Sequence, residues 1–199
     1  MLNVLKNNLV ELGYTVNVFE NKTEAVNYLN SKIDGNTVGI GGSVTVNELG
    51  LYDVLKTHNN VIWHLKENSD KVFETRIKSS RAEIYISSVN AISLNGEIVN
   101  IDATGNRVAA TIFGPKKIYF ILGKNKITNT LNDAIYRARN VASPLNAKRL
   151  NLPTPCAVNA DKCYNCNSKK RICRALSIFL MPPTGAEYEI ILINENLGF

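Results

Sequence analysis

The sequence predicts an α/β protein: an open, mostly parallel sheet with helices on both faces. Helical and strand-like segments alternate along most of the chain, the order that builds layered α/β domains. Two short apolar runs, Ile84–Ile86 and Ile118–Leu122, are rich in β-branched and aromatic residues, as strands buried on both faces are. Between them Asn95-Gly96, flanked by Ile92, Leu94, Ile98 and Ile101, supplies the positive φ angles of a tight hairpin.

The elements follow in order. Leu2, Leu5, Leu9 and Leu12 recur at helical spacing, and Gly13 supplies a stop. Tyr14–Phe19 alternates as a strand. Asn21 or Thr23 caps a second helix carrying Ala25, Val26 and Leu29. Asp34-Gly35-Asn36 is a turn, and Thr37–Ile40 is a short strand that runs directly into Gly41-Gly42-Ser43. Thr45-Val46-Asn47-Glu48 has capping-box spacing, which predicts a helix start. Val61–Leu65 reads as a strand, and Glu67–Arg81 as a helix with Val72, Phe73, Ile77 and Ala82 as its apolar positions. Beyond the central stretch, Asn129 or Thr130 opens a helix that Ser143-Pro144 is expected to end. Ala175–Leu180 and Tyr188–Asn194 read as strands joined through Pro182-Pro183-Thr184-Gly185 into a terminal β-hairpin. No repeat or linker divides the 199 residues, which suffice for one sizeable domain.

Composition narrows the functional classes. Hydrophobic residues at 45% and charged residues at 20% exclude wholesale disorder. The apolar run Ile118–Leu122 is far shorter than the ~20 residues of a membrane-spanning helix. The N-terminal stretch lacks the unbroken apolar core of a signal peptide, so a cytoplasmic location is expected. The net charge of +6 is spread along the chain, apart from a concentration at Lys162–Arg174 in which only Tyr164 interleaves. Neither a membrane nor a nucleic acid is therefore an expected partner.

Several residues carry chemistry. Gly41, Gly42 and Ser43 stand between a strand and a helix, where backbone amides hold an anion such as a carboxylate or phosphate. The segment is neither a Walker loop nor a GxGxxG fingerprint. Asn90, Asn106 and Arg107 stand where strands end, the place where open α/β sheets bind ligands. Arg107 suits a carboxylate because a guanidinium forms bidentate, charge-assisted bonds. Glu48 completes the capping-box spacing; its functional alternative is a catalytic carboxylate, as general base or acyl acceptor. Of the two histidines, His58 and His64, neither has a partner at ligand spacing, and His64 beside Trp63 reads as a packed residue. The four cysteines, Cys156, Cys163, Cys166 and Cys173, form a C-x6-C-x2-C-x6-C pattern. Clustered thiols in a reducing compartment point to a metal: zinc or an iron–sulfur cluster on all four. The alternative is a pair of buried outer thiols around an exposed Cys163 and Cys166.

Gly-Gly-Ser-Val-Thr-Val-Asn-Glu-Leu-Gly (41–50), Ser-Val-Asn-Ala-Ile-Ser-Leu-Asn-Gly (88–96) and Gly-Asn-Arg-Val-Ala-Ala (105–110) occur in that order. Gly-Pro-Lys-Lys-Ile (114–118), Gly-Lys-Asn-Lys-Ile (123–127) and Glu-Asn-Leu-Gly-Phe (195–199) follow. In that order and spacing the chain resembles the LUD domain family of bacterial lactate-utilisation proteins, over residues 1–199. The resemblance implies a fold like that of sugar-phosphate isomerases and coenzyme A transferases. It also implies a part in oxidising L-lactate to pyruvate, often as one component beside iron–sulfur partner subunits. The paired ferredoxin-like cysteine runs of the larger iron–sulfur component are missing, so the chain resembles the small component or a stand-alone relative. The alternatives are an enzyme of the transferase or isomerase kind, acting on a phosphorylated or thioester substrate through Glu48, and a metal-bearing redox or regulatory module. A small anionic metabolite is the expected ligand.

Overall fold

A computed structural model describes all of residues 1–199. The elements run α1 (Leu2–Glu11), β1 (Thr15–Phe19), α2 (Lys22–Lys32), β2 (Thr37–Ile40), α3 (Val44–Glu48), α4 (Leu51–Leu55) and β3 (Asn60–Trp63). They continue through α5 (Val72–Ser80), β4 (Ile84–Ser87), β5 (Ala91–Ser93), β6 (Ile98–Asp102), α6 (Asn106–Ile112), β7 (Lys117–Gly123) and β8 (Ile127–Thr128). Last come α7 (Leu131–Arg137), α8 (Ser143–Arg149), α9 (Pro155–Asn159), β9 (Ala175–Phe179) and β10 (Glu187–Ile193). No helix is long and apolar enough to cross a membrane.

Six strands form the main sheet in the order β1-β10-β7-β4-β2-β3, and every neighbouring pair is parallel. The two apolar runs singled out above are β4 and β7, adjacent at its centre, with Ile84 opposite Lys117 and Ile86 opposite Tyr119. Burial on both faces explains why they show no polar alternation. On one face Val38, Ile40, Ile86 and Ile121 pack against Ala25 and Leu29 of α2 and Leu51 and Leu55 of α4. On the other, Tyr85, Ile118, Phe120 and Leu122 meet Leu5 and Leu9 of α1, Ala110 of α6, and Ile92, Ile98 and Phe179 of a second sheet. Each such side chain, fully buried, contributes roughly 1.5–3 kcal/mol.

The second sheet has the order β8-β5-β6-β9. Its β5–β6 pair is antiparallel and turns at Asn95-Gly96, where Gly96 has φ +100°. Behind it Ala134 of α7 packs on Ala91, Val99 and Ile101.

Three local expectations are corrected. The last two strands do not make a hairpin: β9 pairs antiparallel with β6 in the small sheet, whereas β10 lies inside the main sheet between β1 and β7. Their burial explains the separation. Six of seven β10 residues are buried, so it needs neighbours on both edges, while β9 buries only Phe179 and suits a sheet edge. Pro144 does not end its helix either. The chain passes from α7 through a π turn at Ala138–Ala142 into α8, where proline occupies an early position that needs no N–H. Ser143 Oγ donates to the Ala138 carbonyl at 2.8 Å. Finally, α3 is capped by Ser43, whose Oγ accepts from the Val46 N–H at 3.1 Å, so Thr45 and Glu48 form no capping box.

Candidate functional site

Because the main sheet is parallel, the carboxyl ends of its strands open onto one rim. After β2 come Gly41–Ser43, after β3 His64, after β4 Ser88–Asn90, and after β7 Lys124–Lys126. The small sheet brings Asp102–Thr104 and the start of α6 to the same place. Together they enclose a hollow of about 200 Å³. Gly42, Ser43, Asn90, Asn106 and Arg107 all line it. Gly41 lies beneath: a Cβ there would sit 3.1 Å from Arg107 Cγ and from the Tyr85 hydroxyl, so the missing side chain lets the arginine lie flat on the strand end. Glu48 is not among the lining residues. It is exposed, and its Oε2 accepts from the Gly198 N–H at 2.8 Å.

Arg107 is engaged by the protein itself. Its Nη1 donates to the Ser88 carbonyl at 3.0 Å and Asn100 Oδ1 at 2.7 Å. Its Nη2 donates to Asn90 Oδ1 at 3.2 Å and the Ile101 carbonyl at 2.7 Å. All four Nη protons thus have neutral acceptors. Asn90 Oδ1 also accepts from the Ile101 N–H at 2.8 Å, so Asn90, just before β5, is fastened to β6 of the small sheet. The Asp102 carboxylate accepts from the N–H groups of Arg107 and Val108, both at 3.1 Å, and fixes the start of α6. Burial pushes the Arg107 guanidinium below its ordinary value, against the pull of Asp102. The outcome is a positive charge held in place without direct neutralisation.

Lys126 was not anticipated from sequence. It is 3% exposed, and its Nζ donates to Thr45 Oγ1 at 2.8 Å, Ser88 Oγ at 2.9 Å and the Val89 carbonyl at 3.1 Å. Burial lowers its pKa to about 7, helped by the cations Arg137 and Arg107 and opposed by Glu48. Arg76 of α5 also lines the hollow, with one side-chain bond from Nη1 to Thr104 Oγ1 at 3.3 Å and an Nε without a partner. His64, read from sequence as a packed residue, is buried and also lines the hollow, and its Nδ1 has no partner. Burial and the nearby Arg76 lower its pKa to about 4, so the ring is neutral at pH 7. With Arg149, four basic side chains and one acidic side chain, Asp102, face the space, and the last residue, Phe199, also lines it. Such a wall attracts a small anion. A lysine on a short turn between Asn125 and Ile127 carries no mark of burial, which is why pattern reading passes over Lys126. The only signal was its position just past a fully apolar strand.

The cysteines form a separate feature. All four are free and half-buried, and all line one small enclosed hollow together with Tyr164 and Arg171. As the side chains stand, no three His, Cys, Asp or Glu groups are gathered as a metal-ion site. The alternative division, outer thiols buried and inner ones exposed, is not seen, since the four share one degree of burial.

One known structure shares this architecture. A DUF162 family protein from Deinococcus radiodurans is 11% identical, with a TM-score of 0.53 over 96% of this chain and 95% of that one. That likeness is one of fold. Ribose 5-phosphate isomerase from Plasmodium falciparum matches 54% of this chain and 52% of its own at 16% identity and TM-score 0.36. The eIF2B delta of Chaetomium thermophilum matches 67% and 55% at 16% identity and TM-score 0.40. No curated protein matches the sequence significantly. The LUD domain model matches residues 2–193, nearly the whole length, and the chain therefore belongs to the LUD domain family.

Proposed function

We propose that this protein is the small-ligand-binding component of a lactate-utilisation system, holding a 2-hydroxy or 2-oxo carboxylate beside iron–sulfur partner subunits. One observation carries the reading: a hollow of about 200 Å³ at the sheet rim, faced by the basic side chains of Arg76, Arg107, Arg149 and Lys126 and by one acidic side chain, Asp102. Sites that enclose a drug-sized ligand run from ~300 to 1,000 Å³. The smaller space suits a compact metabolite better than a whole coenzyme A. Membership of a family associated with lactate utilisation supplies the choice of acid. The transferase reading has less support, because Glu48 is exposed and engaged with Gly198 rather than facing the space.

In this reading Arg76 grips the carboxylate with its free donors. Arg107 supplies a fixed field, and Ser43, whose oxygen already caps α3, turns its O–H toward the ligand. His64, neutral at pH 7, and Lys126 adjust the proton balance of the wall. Thermal denaturation of the full chain with L-lactate, pyruvate, inorganic phosphate, ribose 5-phosphate and coenzyme A tests this. The two carboxylates are expected to stabilise the fold, by about 2.7 kcal/mol at a hundredfold excess over Kd. Stabilisation by the phosphates or coenzyme A alone would replace this reading with the transferase or isomerase one.

A further inference from the structure

We infer that Cys156, Cys163, Cys166 and Cys173 together bind one zinc-class divalent ion, and that this ion fastens the segment walling the larger hollow. The four sulfurs belong to residues that line one enclosed space of about 10 Å³. That is room for a single atom-sized guest, about one water probe, and not for a multi-iron cluster.

The local backbone bends between the two inner cysteines. Asn165, between Cys163 and Cys166, has φ +47°, and its N–H donates to Cys163 Sγ at 3.4 Å. Arg171 Nε donates to Cys173 Sγ at 3.2 Å, and Arg139 Nη2 reaches Cys163 Sγ at 3.7 Å. Two guanidiniums thus stand where a tetrathiolate site would carry its excess negative charge. From Ala160 to Arg174 the chain has neither helix nor strand and no buried residue, so side-chain contacts rather than a core order it.

The chemistry balances without an oxidant. Four S–H bonds release four protons as four metal–sulfur bonds form, and the ion keeps its charge. Gathering the sulfurs asks for side-chain rotation into a space they already share. The consequence reaches beyond the cysteines. Ile172 lines both hollows, and α8 contributes Ser143 and Ala147 to the small one and Asn146 and Arg149 to the large one. The ion is therefore a clamp on the wall of the anion site.

The test is metal counting on the full chain purified under reducing conditions, followed by replacement with Co²⁺. The expected result is one zinc per chain, and for the cobalt form the strong visible bands of a tetrahedral thiolate site. Cys163→Ser and Cys166→Ser are expected to lower zinc occupancy by at least about tenfold. Should either variant fold poorly, the cobalt spectrum of the unaltered chain decides. Iron with acid-labile sulfide, or a chain that takes up neither Zn²⁺ nor Co²⁺ with its thiols reduced, would overturn the assignment. A thermal midpoint unmoved by chelation of the zinc-loaded chain would overturn the clamp. None of these readouts involves the carboxylate ligand, so they stand apart from the proposed function.

Discussion

Two arginines in one hollow do different work, and the difference is measurable. Arg107 donates to four neutral acceptors from two sheets, so its removal strands buried oxygens on both. Arg107→Ala is expected to cost about 3 kcal/mol or more. Arg76 has one side-chain bond, to Thr104, and Arg76→Ala should stay within about 1 kcal/mol of the parent. The same change should weaken pyruvate binding tenfold or more, about 1.4 kcal/mol or above. Urea denaturation with calorimetric titration separates the two, and an R107A chain as stable as its parent would refute the division. Lys126 adds a pH dependence of known sign. Between about pH 7 and its ordinary 10.5, the unfolded chain holds a proton that the folded chain has lost. The lysine's contribution to stability therefore rises with pH across that window. Over the same rise the hollow loses a positive charge, so carboxylate affinity falls. Lys126→Met is expected to flatten both trends, as followed by thermal denaturation and titration from pH 6 to 9.

Elements meet here through small residues at particular places. A Cβ on Gly39 of β2 would run into the Ser79 carbonyl at the end of α5. Gly39→Ala is therefore expected to cost about 2–3 kcal/mol, measured by urea denaturation, and to displace the helix that carries Arg76. Sequence pattern made some elements plain. The apolar runs of β4 and β7 and the Asn95-Gly96 turn are local signals, fixed by burial and by a positive φ that glycine accepts. It misplaced others for want of tertiary context. Pro144 reads as a stop unless the π turn before it is known, and Pro182–Gly185 reads as a hairpin turn unless the unequal burial of β9 and β10 is known. In the site, glycines and strand-end polar residues announced themselves, because backbone geometry limits what stands there. Lys126, His64 and Arg76 did not. Their roles arise from segments that meet only in three dimensions, such as Lys126 with Thr45 and Ser88.

At the scale of the whole molecule, the order of the main sheet ties chain ends together. β1 begins at Thr15 yet has a single partner, β10, whose residues 187–193 also pair with β7. Ribosomal synthesis thus delivers the first strand long before its only neighbour exists. The nascent chain carries unsatisfied strand edges on β1 and β7 until residues 187–193 have emerged. Pairings so remote in sequence make for slow folding, and exposed edges invite association with other chains. A stop codon or proteolytic nick that removes β10 would leave a split sheet prone to aggregate, rather than a shorter working protein.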